Sequence, residues 1–277
     1  MIAVDWGTTS LRAYRLDGNG EVLDARASNK GILALPPGPQ VLEGELQDWL
    51  DDGPIVMSGM VGSRQGWVEA PYVECPAGLA ELAPALKEVR WSTRRAWIVP
   101  GVVCRGAVPD VMRGEEVQVL GAERDGLFCL PGTHSKWVEV RNGRIERFST
   151  AMTGEVYAVL RQHSILGRMM EDGKPDAEAF AQGVRRAGAP GGLLHHLFGV
   201  RTLGLLGELG PAASPLYLSG ILIGHEVRLA GGAFALIGDA ILMDLYRQAA
   251  GIVGIEANTC APESGTRALF RLAAAIP

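Results

Sequence analysis

The chain has 277 residues, 47% of them hydrophobic and 21% charged, with a formal net charge of −5. This excludes a disordered or low-complexity protein, and the acidic balance argues against nucleic-acid binding by bulk electrostatics. At this length roughly three quarters of the surface is buried on folding, which suits one large domain or two modest ones. Glycine is over-represented: 37 residues, about 13% against a usual ~7%, so many backbone positions need positive φ or a close approach. Cys75, Cys104, Cys129 and Cys260 contain no C-x-x-C pair, which disfavours a zinc or thioredoxin-type centre and fits reduced thiols. The start MIAVDWGTT has no basic n-region, and no apolar run reaches the ~18 residues of a membrane span. The expectation is a soluble, cytoplasmic protein with no membrane partner.

In chain order, Ile2–Val4, Leu11–Leu16 and Glu21–Leu23 read as an antiparallel meander, the last two joined by Asp17-Gly18-Asn19-Gly20. Helical spacing follows over 41–51, then a buried strand at 55–57, a helix over 79–89, a strand at 96–99 and a helix over 115–123. Leu127–Leu130 is a strand ending at Pro131-Gly132-Thr133-His134-Ser135, and 136–140 and 144–148 alternate around Asn142-Gly143. Beyond residue 150 helix dominates: 155–163, 177–187, 193–209, 223–229, 240–250 and a last helix through 273. Strands are expected between them at 215–218, 234–237 and 252–255. The change of texture predicts an α/β protein of two lobes, 1–150 and 151–277, without a linker.

One device occurs twice. VDWGTTSLRAYRLDGNG and CLPGTHSKWVEVRNG both run from an apolar strand through Gly-Thr and neighbouring hydroxyls into an alternating strand and a glycine turn. Such a corner exposes successive backbone N–H groups beside hydroxyl donors, a pocket for phosphate oxygens that needs no bulk positive charge. Either corner alone is an ordinary hairpin turn; both together predict a shared grip on one nucleotide polyphosphate. Asp5, ending the first strand, is placed to hold Mg²⁺ through water. A Walker P-loop, a dinucleotide fingerprint, a nucleophile elbow and an H-E-x-x-H pair are all missing from the sequence.

DWGTTSLRA resembles the first phosphate motif of the sugar-kinase, Hsp70 and actin superfold, LPGTHSKW its second, and LYLSGILIG its adenosine motif. Further blocks, SGMVGSRQGWVEAPYVECPAG, PDVMRGEEVQVLGA and FSTAMTGEVYAVLRQHSILG, are similar to the 2-dehydro-3-deoxygalactonokinase family. The likeness extends from residue 1 to about 228 and leaves 252–277 without a role. It implies an actin-like ATPase (ribonuclease H-like) fold of two lobes, each a mixed five-stranded sheet with helices. It also implies phosphorylation of the 6-hydroxyl of 2-dehydro-3-deoxy-D-galactonate by ATP with Mg²⁺.

By the same resemblance Gly7, Thr8, Thr9 and Arg12 contact phosphates from one corner, and Gly132, Thr133, His134 and Ser135 from the other. Ser219, Gly220, Ile223 and Gly224 line the adenosine, and Asp110, ahead of helix 115–123, is the base, the other reading of it being a helix N-cap. The anionic substrate needs a carboxylate partner, for which arginine's fork is suited. Arg64, in a loop with Gly59 and Ser63, is the first choice, with Arg105 and Arg113 as alternatives, and Glu155 either orients a substrate hydroxyl or caps the helix that follows Thr153-Gly154. Other readings are a kinase for another sugar acid, a non-catalytic sugar sensor on the same superfold, or an actin- or Hsp70-like ATPase. Homo-oligomerisation is left open.

Overall fold

The computed structural model describes residues 1–261 and 264–276. The elements run β1 (Ile2–Trp6), β2 (Leu11–Leu16), β3 (Val22–Ser28), α1 (Pro39–Leu46), β4 (Ile55–Ser58), β5 (Tyr72–Glu74), α2 (Leu79–Leu82), β6 (Lys87–Trp91), β7 (Arg94–Ile98), β8 (Gly101–Cys104), β9 (Asp110–Met112) and α3 (Glu115–Leu120). They continue with β10 (Gly126–Leu130), β11 (Ser135–Arg141), β12 (Arg144–Ala151), α4 (Thr153–His163), α5 (Ala177–Ala187), α6 (Gly192–Leu205) and α7 (Ser214–Val227). The chain ends with β13 (Phe234–Leu236), α8 (Ala240–Val253), β14 (Ala257–Thr259) and α9 (Ser264–Ala273).

The chain folds as two compact units. The first holds residues 1–126, 138–149 and 261–277, the second 127–137 and 150–260. The strand and corner of the second Gly-Thr motif therefore group with the later helices, and the C-terminal helix returns to the first unit. A single cut near residue 150 does not capture either exchange.

In the first unit a six-stranded sheet has the order β3-β2-β1-β4-β7-β6. The opening meander is antiparallel, with Asp5 opposite Arg12, while β1–β4 and β4–β7 are parallel. The expected five strands become six because 87–91 is not helical. Pro84 stops α2 from continuing, and β6 folds back on β7 with Val89 opposite Ala96. Ile2, Val4, Trp6, Ile55 and Met57 form the core with Leu42, Leu46 and Trp49. A second, three-stranded sheet, β5-β8-β9, carries Asp110 opposite Cys104. All four cysteines are free.

The other large sheet has the order β12-β11-β10-β13-β14, with β10–β13 and β13–β14 parallel. Two strand expectations fail here. Residues 215–218 lie within α7, where Pro215 sits in the first turn. An all-round apolar run reads alike as a buried strand or a buried helix. Residues 252–255 contain the end of α8, which stops at Gly254 in the left-handed region, and the strand follows at 257–259.

Candidate active site

The first Gly-Thr corner closes through Gly7 N–H to Ser10 O at 2.9 Å. The carbonyls of Gly7, Thr8 and Thr9 accept from the N–H groups of Ile32, Leu33 and Gly31 at 3.1–3.2 Å. With the carbonyls held on that side, the amides of the corner are turned away from it, and the Thr8 and Thr9 side chains are exposed. Asp5 ends β1 beside the corner and accepts from Arg12 Nη1 at 3.4 Å. Burial pushes the Asp5 carboxyl up; Arg12 opposes that shift and the charge of Glu115 adds to it. Asp5, Gly7, Thr8, Thr9 and Arg12 are thus brought together.

At the second corner Thr133 and His134 are exposed, and the His134 ring meets the Glu155 carboxylate. Glu155 is therefore placed beside the second corner. Ser135 also differs from the expectation. It is fully buried, and its hydroxyl is spent on Tyr246 OH at 2.8 Å, so it faces inward from the corner.

The expected adenosine motif lies in α7, and three of its four members are enclosed. Gly220, Ile223 and Gly224 are buried and Ser219 is half-buried. A Cβ at 220 would overlap the Phe180 carbonyl oxygen of α5, and one at 224 would lie 2.9 Å from Ala187 Cβ. These glycines let two helix backbones touch, which leaves no face of Gly220 or Gly224 for a nucleotide. This unit has a cavity of about 600 Å³ lined by Tyr157, Lys174, Leu216, Ile241, Asp244 and Gln248, among others. Ile241 is in the first turn of α8, whose cap Asp239 accepts from the N–H groups of Ile241 and Leu242. The preceding Gly238 places its α-carbon beside Pro131 of the second corner, a Cβ there standing 3.5 Å from Pro131 O.

In the loop after β4, Arg64 is 87% exposed and pairs with Glu69 at 3.2 Å. Arg105 pairs with Glu74 at the same distance, on the surface. Arg113 is buried: Nη2 donates to Ala70 O at 2.9 Å and the guanidinium lies 4.3 Å from the Tyr72 ring centroid. It ties the loop to the small sheet. Ser63 Oγ is buried with no hydrogen-bond partner among the described residues.

Asp110 begins a strand, so the helix-start position expected for it belongs to other residues. Gly114 precedes α3 and Glu115 and Glu116 form its first turn. A Cβ at Gly114 would stand 3.1 Å from Gly59 Cα, and one at Gly59 would stand 3.4 Å from Asp5 Oδ1. Glu115 therefore opens a helix beside Asp5, its Oε2 held by Arg113 N–H at 3.2 Å. Asp110 lies at the other end of the three-residue strand β9, opposite Cys104. Glu115 is not singled out by the sequence reading, although Arg-Gly-Glu-Glu before an apolar helix marks it.

Each large sheet pairs a hairpin-forming strand with parallel neighbours, and each carries a Gly-Thr corner at the end of its lead strand: the plan of an actin-like ATPase fold as sugar kinases use it. An activator of 2-hydroxyisocaproyl-CoA dehydratase from Clostridium difficile, solved with bound ADPNP, shares that fold at a TM-score of 0.51 and 11% identity, over 99% of this chain and 95% of the other. The family model described as 2-keto-3-deoxy-galactonokinase matches residues 5–272, and the chain belongs to that family. It is 35% identical to the 2-dehydro-3-deoxygalactonokinase of Escherichia coli K12, covering 98% of this chain and 96% of the relative. It superposes at a TM-score of 0.89 on a crystal structure from Sinorhizobium meliloti described as a candidate 2-dehydro-3-deoxygalactonokinase. The identity there is 37%, covering 99% of this chain and 97% of the other.

Proposed function

We propose that the protein transfers the γ-phosphoryl group of MgATP to the 6-hydroxyl of 2-dehydro-3-deoxy-D-galactonate, releasing ADP, in the cytoplasm. The observation that carries this reading is family membership along the whole chain, combined with an Asp5-flanked Gly-Thr corner whose threonines are exposed. Each corner supplies amide and hydroxyl donors to the nucleotide phosphates, Gly7, Thr8, Thr9 and Arg12 from one and Gly132, Thr133 and His134 from the other. The nucleoside occupies the cavity beside α8 rather than the enclosed α7 glycines; its size is in the range of small-molecule sites.

Among the described residues no group of three His, Cys, Asp or Glu side chains could cage a metal. Magnesium accordingly enters with ATP, and Asp5 suits it as a single carboxylate acting through water. Bound there, the ion would neutralise charge on the phosphates. The exposed Arg64 takes the substrate carboxylate. Glu115 accepts the proton of the attacking hydroxyl, being the carboxylate next to Asp5, while the hydroxyl oxygen bonds to phosphorus and the bond to ADP breaks.

Coupled measurement of ADP release by the purified chain tests this, with galactonate- and gluconate-derived 2-keto-3-deoxy acids as acceptors. ADP is expected only when Mg²⁺ and an acceptor are both present, and faster with the galacto acid. Release indifferent to every acceptor would favour an actin-like ATPase, and tight sugar-acid binding without turnover would favour a sensor.

A further inference from the structure

Glu226, on α7, is 6% exposed and collects three donors. Its Oε1 accepts from Trp137 Nε1 at 2.7 Å, and its Oε2 accepts from Tyr246 OH at 2.7 Å and from the Thr153 hydroxyl. Because Tyr246 gives its only hydroxyl proton to the carboxylate, the 2.8 Å contact with Ser135 is directed the other way: Ser135 donates to Tyr246. The proton order is Ser135 to Tyr246 to Glu226. A single carboxylate thereby joins β11, the start of α4, α8 and, through Tyr246, the last residue of the second Gly-Thr corner.

The start of α4 meets the same corner directly. Glu155 N–H donates to Thr133 O at 3.0 Å, and a Cβ at Gly154 would overlap Gly132 O and stand 2.8 Å from Thr133 Cα. Thr153, next in the chain to Gly154, is held by Glu226. The corner is therefore fixed at both edges by routes that converge on one side chain, while Thr133 and His134 stay exposed.

A buried carboxylate is a poor way to add stability alone, because well-packed apolar residues often do as well or better. A satisfied polar network instead selects one geometry. We infer that Glu226 is a positioning residue: through Ser135–Tyr246 on one edge and Thr153 on the other, it sets the orientation in which the second Gly-Thr corner presents its donors to the nucleotide phosphates. The inference rests on the kinase reading above and concerns residues that touch neither substrate. Rigid placement matters here because phosphoryl transfer depends chiefly on alignment, and a misplacement of ~1 Å can cost on the order of a hundredfold.

The test uses the full-length chain and the variants Tyr246→Phe, Ser135→Ala, their double and Glu226→Gln. It measures kcat and KM for MgATP and for the sugar acid, affinity for a non-hydrolysable ATP analogue by calorimetry, and the thermal midpoint. Tyr246→Phe removes one oxygen and keeps the Trp137 and Thr153 bonds to Glu226. It is expected to lower kcat/KM for MgATP by about ten- to a hundredfold while KM for the sugar acid stays within about twofold. The double variant should be no worse than the poorer single, since both cut the same link. A fall in thermal midpoint with unchanged kinetics and nucleotide affinity in Tyr246→Phe and Ser135→Ala would overturn the inference, leaving Glu226 a structural anchor. Should Glu226→Gln fail to fold, those two variants decide. If the unaltered chain shows no acceptor-dependent ADP release, the kinase reading fails by itself. Unchanged analogue affinity in both variants would then overturn the positioning role separately.

Discussion

Gly59 stands against Asp5: a side-chain carbon added at residue 59 would lie 3.4 Å from Asp5 Oδ1 and 2.8 Å from the carbonyl oxygen of Trp6. The residue also holds φ at 92°, a conformation strained for any side chain. Gly59→Ala is expected to cost about 1–3 kcal/mol from the backbone conformation alone. The Trp6 carbonyl cannot yield without moving β1, so kcat should fall along with stability. Urea unfolding and ADP release on the same sample check this; an alanine variant of unaltered stability would show the loop to be free to shift.

The base assignment turns on which carboxylate reaches the corner. Glu115→Gln keeps shape and the bond from Arg113 N–H but removes the proposed proton acceptor. It is expected to lower kcat by about 10²–10⁴-fold with affinity for MgATP nearly unchanged. Asp110→Asn, at the far end of β9, should retain kcat within about threefold. The opposite pattern would return the role to Asp110.

Glu116 offers a prediction about pH. It is fully buried, its Oε2 accepts from Gly114 N–H at 2.7 Å and its Oε1 has no partner among the described residues. Burial, with the Glu115 charge adding to it, raises its pKa from 4.5 to about 8, against backbone hydrogen bonds and Arg113. The native chain therefore keeps a proton that the unfolded chain loses above its ordinary carboxylate range. Stability from this group is complete at low pH and declines as pH rises through the window up to about 8, with a slope of at most ~1.4 kcal/mol per pH unit. Glu116→Gln should flatten that decline, so its thermal midpoint relative to the unaltered chain rises between pH 5 and pH 8. Parallel curves for the two proteins would contradict the buried, protonated state.

How much the sequence discloses depends on whether the signal is local. The meander β1–β3 was legible because Asp17-Gly18-Asn19-Gly20 sits between alternating runs, and both Gly-Thr corners because glycine, hydroxyls and strand ends adjoin in sequence. Ser135 looked like its neighbours, but strand alternation turns it inward to Tyr246, 111 residues away, a partner no local pattern names. In α7 the glycines at 220 and 224 signal close approach correctly; what approaches is α5, which only the tertiary packing shows. Arg113 reads as an alternative partner for the substrate carboxylate until Tyr72 and the Ala70 carbonyl enclose it.

The cavity beside α8, proposed above for the nucleoside, separates two readings of the second unit. If the α7 glycines met adenosine, Gly220→Ala would raise KM for MgATP in a chain that stays folded. With Gly220 pressed on the Phe180 carbonyl, the same change should instead lower the thermal midpoint, by an amount typical of forced overpacking, about 1–3 kcal/mol. Ile241, 74% exposed at the mouth of α8, gives the complementary measurement. Ile241→Arg places a long cation in the cavity without disturbing the core. It should raise KM for MgATP at least about tenfold, equivalent to ~1.4 kcal/mol of binding, and leave KM for the sugar acid unchanged. An Ile241→Arg variant with ordinary nucleotide affinity would place the nucleoside elsewhere, because a cavity that accepts an arginine and its nucleoside together is not the one the nucleoside fills.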